Sequence, residues 1–65
     1  MIKDGDKVIM RDWVRAGDII SGIKIHPFML FCGAQEANVI EPGLIEINGF
    51  YYPEPALEVS ENANS

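Results

Sequence analysis

Cysteine is nearly absent from this 65-residue chain: Cys32 stands alone. A single thiol cannot close an intrachain disulfide, and it fits a reducing compartment, where free thiols persist. Histidine is as scarce, with His26 the sole example. One Cys and one His do not supply the clustered ligands of a structural zinc site, so no metal and no cofactor are expected. No glycine spacing matches a dinucleotide or phosphate loop. The apolar segment Pro27 to Ala34 is far shorter than the roughly 18 apolar residues of a membrane helix. The opening Met1-Ile2-Lys3-Asp4-Gly5-Asp6 lacks the basic-then-apolar order of a secretory signal. A cytoplasmic protein without membrane attachment is expected.

Long helical periodicity is missing too. Gly or Pro stands at positions 5, 17, 22, 27, 33, 42, 43, 49, 53 and 55. Most intervals between them are too short for three helical turns of apolar pattern. Basic charge is missing from the whole second part. Lys3, Lys7, Arg11, Arg15 and Lys24 face four acids in residues 1–24, a balance of +1. From Ile25 onward there are six glutamates and no cation, a balance of −6. Such a surface repels nucleic acid and favours solubility.

Apolar residues, by contrast, are plentiful, at 48% of the chain. A domain near 60 residues buries only about 60% of the surface its unfolded chain exposes. A core of that size supplies roughly 3–5 kcal/mol and usually needs a staple. With disulfide and zinc set aside, association with a second copy or with another protein is the staple that remains.

The strand signals are short. Leu44 to Pro53 carries Asn48-Gly49 at its centre, the pair that suits a type I′ hairpin turn. A two-residue loop sets Ile47 opposite Phe50 and Ile45 opposite Tyr52, and alternation puts all four on one core face. Tyr51 falls on the other face, and Pro53 and Pro55 end the strand or hold it at an edge. A first strand is expected over Lys7–Val14 with a bulge near Arg11–Asp12, and a second over Ile19–Ile25 bent at Gly22. The uniformly apolar Phe28–Cys32 reads as a central strand buried on both faces, or as an interface strand. Ala34–Asn38 suits one helical turn, Val39-Ile40 a short strand, and Ala56–Val59 a last edge strand. The expected architecture is mainly β: a small SH3-like barrel or compact sandwich of about five short antiparallel strands. It forms a single domain over 1–59, followed by a disordered tail over 60–65.

Gly5-Asp6-Lys7-Val8 and Gly17-Asp18-Ile19-Ile20 open two strands in the same way, twelve residues apart. They resemble the openings of strands in SH3-like barrels and in lipoyl or biotinyl carrier domains. A carrier domain implies a modified lysine in a tight hairpin. Lys24 lies within a strand pattern, so that resemblance is set aside.

No constellation points to catalysis. If His26 and Cys32 lie on one extended segment, six residues put them roughly 20 Å apart, out of reach for a nucleophile and its base. Cys32 sits in an apolar run and reads as a buried, inert thiol. The acids are spread singly and flank turns. The expected function is therefore non-enzymatic: a protein-interaction module, regulatory, inhibitory or assembling, that binds a protein partner or itself. Trp13, Tyr51, Phe28 and Phe31 are its expected interface anchors. A nucleic-acid module using Lys7, Arg11, Arg15 and Lys24, with Trp13 as a stacking platform, is the alternative. A small-ligand binder with its site between subunits is a third reading.

Overall fold

The described residues form eight strands of two to four residues, most of them separated by glycine or proline. In the computed structural model, which describes residues 1–60, these are β1 (Lys7–Met10), β2 (Ile19–Ile20), β3 (Ile23–Lys24), β4 (Gln35–Glu36), β5 (Asn38–Glu41), β6 (Leu44–Ile47), β7 (Phe50–Pro53) and β8 (Leu57–Val59). Two 3₁₀ turns, Pro27–Met29 and Glu54–Ala56, are the only helical segments among the described residues. The fold is mainly β, in three small antiparallel sheets ordered β4-β1-β8, β2-β3 and β5-β6-β7. Strands this short do not close a barrel among the described residues, and their number exceeds the five expected.

The Asn48-Gly49 hairpin has the expected register: Ile47 faces Phe50, Ile45 faces Tyr52, and Glu46 faces Tyr51. Both turn residues have positive φ, 53° and 89°, as a type I′ turn requires. Ile45, Ile47 and Tyr52 are buried, but Phe50 is 37% exposed. It is the β7 residue that follows the turn, paired with Ile47 at the closed end of the hairpin.

Other expectations need correction. The first strand stops at Met10, and Arg11–Val14 is a turn closed by the Val14 N–H on the Arg11 carbonyl at 3.2 Å. The expected bulge is the end of the strand. Ile19–Ile25 is not one strand but the β2–β3 hairpin, with Ser21 and Gly22 both at positive φ. Phe28–Cys32 is not a buried strand: it begins in the 3₁₀ turn, and Phe28, Leu30 and Cys32 are exposed. Ala34–Asn38 holds β4 instead of a helical turn. Ser60, expected in the tail, is buried and donates its N–H to the Lys7 carbonyl at 2.8 Å. The rest of that tail, 61–65, lies outside the described residues.

The repeated Gly-Asp pairs form two turns of one design. Gly5 and Gly17 have φ of 91° and 93°, a conformation that an L side chain adopts only with strain. The Asp6 carboxylate accepts the Lys3 N–H at 2.8 Å, and the Asp18 carboxylate accepts the Arg15 N–H at 2.9 Å. Each turn then grips one residue from both sides. Gly5 donates to the Ala37 carbonyl and Ala37 donates to the Asp6 carbonyl, both at 2.8 Å. Gly17 and Asp18 hold Ile25 in the same way, both bonds at 2.7 Å. Ala37 and Ile25 are fully buried.

The core gathers around them: Val8, Ile45, Ile47, Tyr52, Ala56 and Leu57, closed by Ile2, Val14 and Met29. The Tyr52 hydroxyl donates to the Met29 carbonyl at 2.6 Å. Burial holds the Tyr52 phenol above its ordinary value of 10.0, because desolvation disfavours the phenolate.

Two outcomes follow. Tyr52→Phe is expected to cost about 1 kcal/mol, the net worth of one buried hydrogen bond. Above pH 10 the unfolded chain releases the phenol proton while the folded chain retains it, so stability is intact below that pH and falls as pH rises towards the raised folded value. Urea titrations between pH 7 and 11 should show a steeper loss in the wild type than in Tyr52→Phe; equal slopes would contradict the assignment. Asp18→Ala should also cost about 1 kcal/mol by orphaning the Arg15 N–H, whereas Asp18→Asn, which keeps an acceptor oxygen, should cost less.

Candidate protein-binding surface

The aromatic residues divide sharply between core and solvent. Trp13 occupies the Arg11–Val14 turn and is 51% exposed. Tyr51 lies on the outward face of β7 and is 56% exposed. Phe28, in the middle of the first 3₁₀ turn, is 78% exposed. Its ring leans on the His26 imidazole, with centroids 5.0 Å apart. Phe31 belongs with the core instead: it is half-buried and packs edge-on against Tyr52 at 5.8 Å and 86°. Of the four expected anchors, three offer free aromatic surface and one is a packing residue. Ile19, 71% exposed at the start of β2, is a further exposed apolar residue that is not among the expected anchors.

The cations are mostly engaged. Lys7 pairs with Glu36 at 4.0 Å and Arg11 with Glu58 at 3.8 Å. The Arg15 guanidinium donates to the carbonyls of Asp12 and Val14 at 2.7 and 3.2 Å. Lys24, exposed on β3, makes no such pair among the described residues.

An open groove of about 690 Å³ runs beside β8, and all three residues of that strand line it. Ile23 and Leu44 contribute apolar surface, and the charged side chains at the groove are Arg11, Glu41, Glu54 and Glu58. Glu54 is partly occupied, accepting the Ile2 N–H at 3.0 Å. The alternation Leu57-Glu58-Val59 after Pro53 and Pro55 was the sequence signal for this strand, but not for the groove. A second hollow of about 420 Å³ lies between Gly17 and His26-Pro27.

Cys32 is exposed, contrary to its expected burial, because the segment that carries it turns outward instead of entering a sheet. His26 uses its Nδ1 to accept the Phe28 N–H at 3.2 Å, which caps the 3₁₀ turn. Among the described residues no group of three or more His, Cys, Asp or Glu stands where it could hold a metal ion. No helix among them is long and apolar enough to cross a membrane. The chain matches no protein-family model, no curated protein and no solved structure.

The exposed thiol gives a direct check of the corrected segment. Cys32 should react stoichiometrically with an aromatic disulfide reagent in the folded chain, without denaturant. Cys32→Ser should shift stability by less than about 0.5 kcal/mol, as exposed substitutions do. A thiol that reacts only after unfolding would place the segment back in the core.

Proposed function

We propose that this chain is a non-enzymatic protein-interaction module, a regulatory, inhibitory or assembly subunit that works by binding a protein partner or a second copy of itself. The observation that carries the reading is the exposure of Trp13, Phe28 and Tyr51 together on one small domain. Large aromatics at the surface are the residue types that dominate interface energetics. A chain with this little interior gains from covering them. An SH3-like scaffold is the finer form of the proposal, and it rests on size and strand content alone. The nucleic-acid alternative has less support, because Lys7, Arg11 and Arg15 are already engaged by acids or carbonyls.

Absolute mass by light scattering over a concentration series is the first test. A mass that rises to a defined multiple makes the aromatic surface a self-interface, and a constant monomer mass assigns it to another protein. In either case Trp13→Ala and Tyr51→Ala should each weaken the association by about fivefold or more, corresponding to roughly 1 kcal/mol, with an unchanged circular dichroism spectrum. Association that is indifferent to both substitutions would remove the proposal.

A further inference from the structure

We infer that Asn48 is a self-modification site, at which the side-chain amide is lost by attack from the Gly49 backbone nitrogen, and that the Glu46 carboxylate holds this reaction in check. The inference is independent of the protein-binding reading.

The chemistry needs only the chain and water. The Gly49 nitrogen gives its proton to solvent and bonds to the Asn48 Cγ. The Cγ–Nδ2 bond breaks, and the amide nitrogen takes up a proton and leaves as ammonia. The product is a five-membered succinimide. Water then opens that ring at either carbonyl, which leaves aspartate or isoaspartate at position 48.

Local features single out this pair. Asn48 and Gly49 are both exposed, and a side chain placed at Gly49 would meet no neighbour within 4 Å. Glycine leaves its own nitrogen unshielded and gives the backbone room to rotate. Asn38, by contrast, precedes the branched Val39, and its amide is held by Glu46 Oε1 at 2.9 Å. Asp4-Gly5 has the same order of groups, but both partners are engaged. The Asp4 carboxylate accepts the Val39 N–H, and the Gly5 N–H is donated to the Ala37 carbonyl, each at 2.8 Å.

The folded turn opposes the reaction. Ring closure needs the Gly49 nitrogen on the Cβ side of Asn48. A type I′ turn has ψ of about +30° at its first central residue, which points that nitrogen away from Cβ. The turn therefore has to open first, and the rate follows the open population. Glu46 ties it shut. Its Oε2 accepts the Gly49 N–H at 2.7 Å while its Oε1 accepts the Asn38 amide. One carboxylate thus fastens the turn to β5, the strand on the far side of β6.

The two products differ in what they do to the hairpin. Aspartate keeps the turn, because Asp-Gly also suits type I′. Isoaspartate routes the backbone through the side-chain carbon and lengthens a two-residue loop by one atom. That disturbs the pairing of Ile47 with Phe50 and of Ile45 with Tyr52, since loop length fixes the register.

The test incubates the full chain at neutral pH and physiological temperature. Peptide-mapping mass spectrometry and an isoaspartate-specific methyltransferase follow position 48. Conversion is expected in the urea-denatured chain, and at least about tenfold more slowly in the folded chain, where the turn is closed. Glu46→Ala should raise the folded rate about fivefold, the weight of one hydrogen bond, and speed exchange of the Gly49 amide alongside it. Glu46→Gln, which keeps an acceptor oxygen, should fall between the two. Asn38→Ala leaves the Gly49 bond in place and should raise the rate by a smaller factor, so the guard is tested even if Glu46→Ala fails to fold. A denatured chain that keeps its amide, or a folded chain that converts as fast as the denatured one, would overturn the inference. So would Glu46 variants that fold and convert at or below the wild-type rate, because the carboxylate would then be idle or would assist the attack.

Discussion

Two backbone clamps of one design hold this fold together. Strands of two to four residues make ladders too short to fix a sheet by themselves, since an isolated two-stranded hairpin is marginal in water. The turns at Lys3–Asp6 and Arg15–Asp18 supply what the ladders lack. Each grips one buried residue, Ala37 or Ile25, through both its N–H and its carbonyl. The first clamp ties the start of the chain to β4 and β5. The second closes the loop that carries the β2–β3 hairpin. Both depend on a glycine at φ near 90° and on an aspartate that accepts the N–H three residues back. The twelve-residue Gly-Asp repeat is thus a repeated structural device, and the core residues meet because the two clamps deliver them.

The acidity of the chain has the same origin. A fold of short strands joined by many turns leaves backbone N–H groups outside any ladder, and each needs an acceptor. Ionised carboxylates only accept, whereas Lys and Arg only donate. Asp6 and Asp18 cap the clamp turns, Asp4 takes the Val39 N–H, Glu46 takes the Gly49 N–H, and Glu54 takes the Ile2 N–H. Half of the ten acids in the sequence are accounted for as backbone acceptors. Glu36 and Glu58 pair with Lys7 and Arg11, linking the mixed first part of the chain to its acidic second part. Exposed pairs at these distances contribute little, about 0–1 kcal/mol each, so charge here serves mainly the backbone.

The parts legible in the sequence were those fixed by local chemistry. Asn48-Gly49 admits one tight turn, and the register of β6 and β7 follows from it. Tyr51 is exposed because that register leaves it on the outer face. The Ser21-Gly22 turn was illegible because serine seldom adopts positive φ, and without it Ile19–Ile25 looks continuous. The Phe28–Cys32 run misled for a different reason. Uniform apolarity marks a buried strand only where a sheet exists to receive it, and no strand of the fold is placed to pair with this segment. Trp13 lay beyond reach of parity arguments altogether, since β1 ends before it. The β8 edge is a property of long-range topology: Leu57-Glu58-Val59 becomes an outer edge only because β1 fills its sheet between β4 and β8.

The exposure of Phe28 shows how a structural bond can create a surface. In a 3₁₀ turn successive side chains diverge by a third of a revolution, so Phe28 and Met29 cannot face the same way. Three things fix Met29 inward. Its side chain is buried in the core, its sulfur accepts the His26 N–H at 3.2 Å, and its carbonyl receives the Tyr52 hydroxyl. With Met29 pinned, the ring of Phe28 is left 78% exposed against the His26 imidazole. Burying Phe28 instead would break the Tyr52 bond and leave a polar hydroxyl in the core without a partner, at about 1–3 kcal/mol. That cost is comparable to the gain from burying the ring, so the chain has no cheap way to hide Phe28.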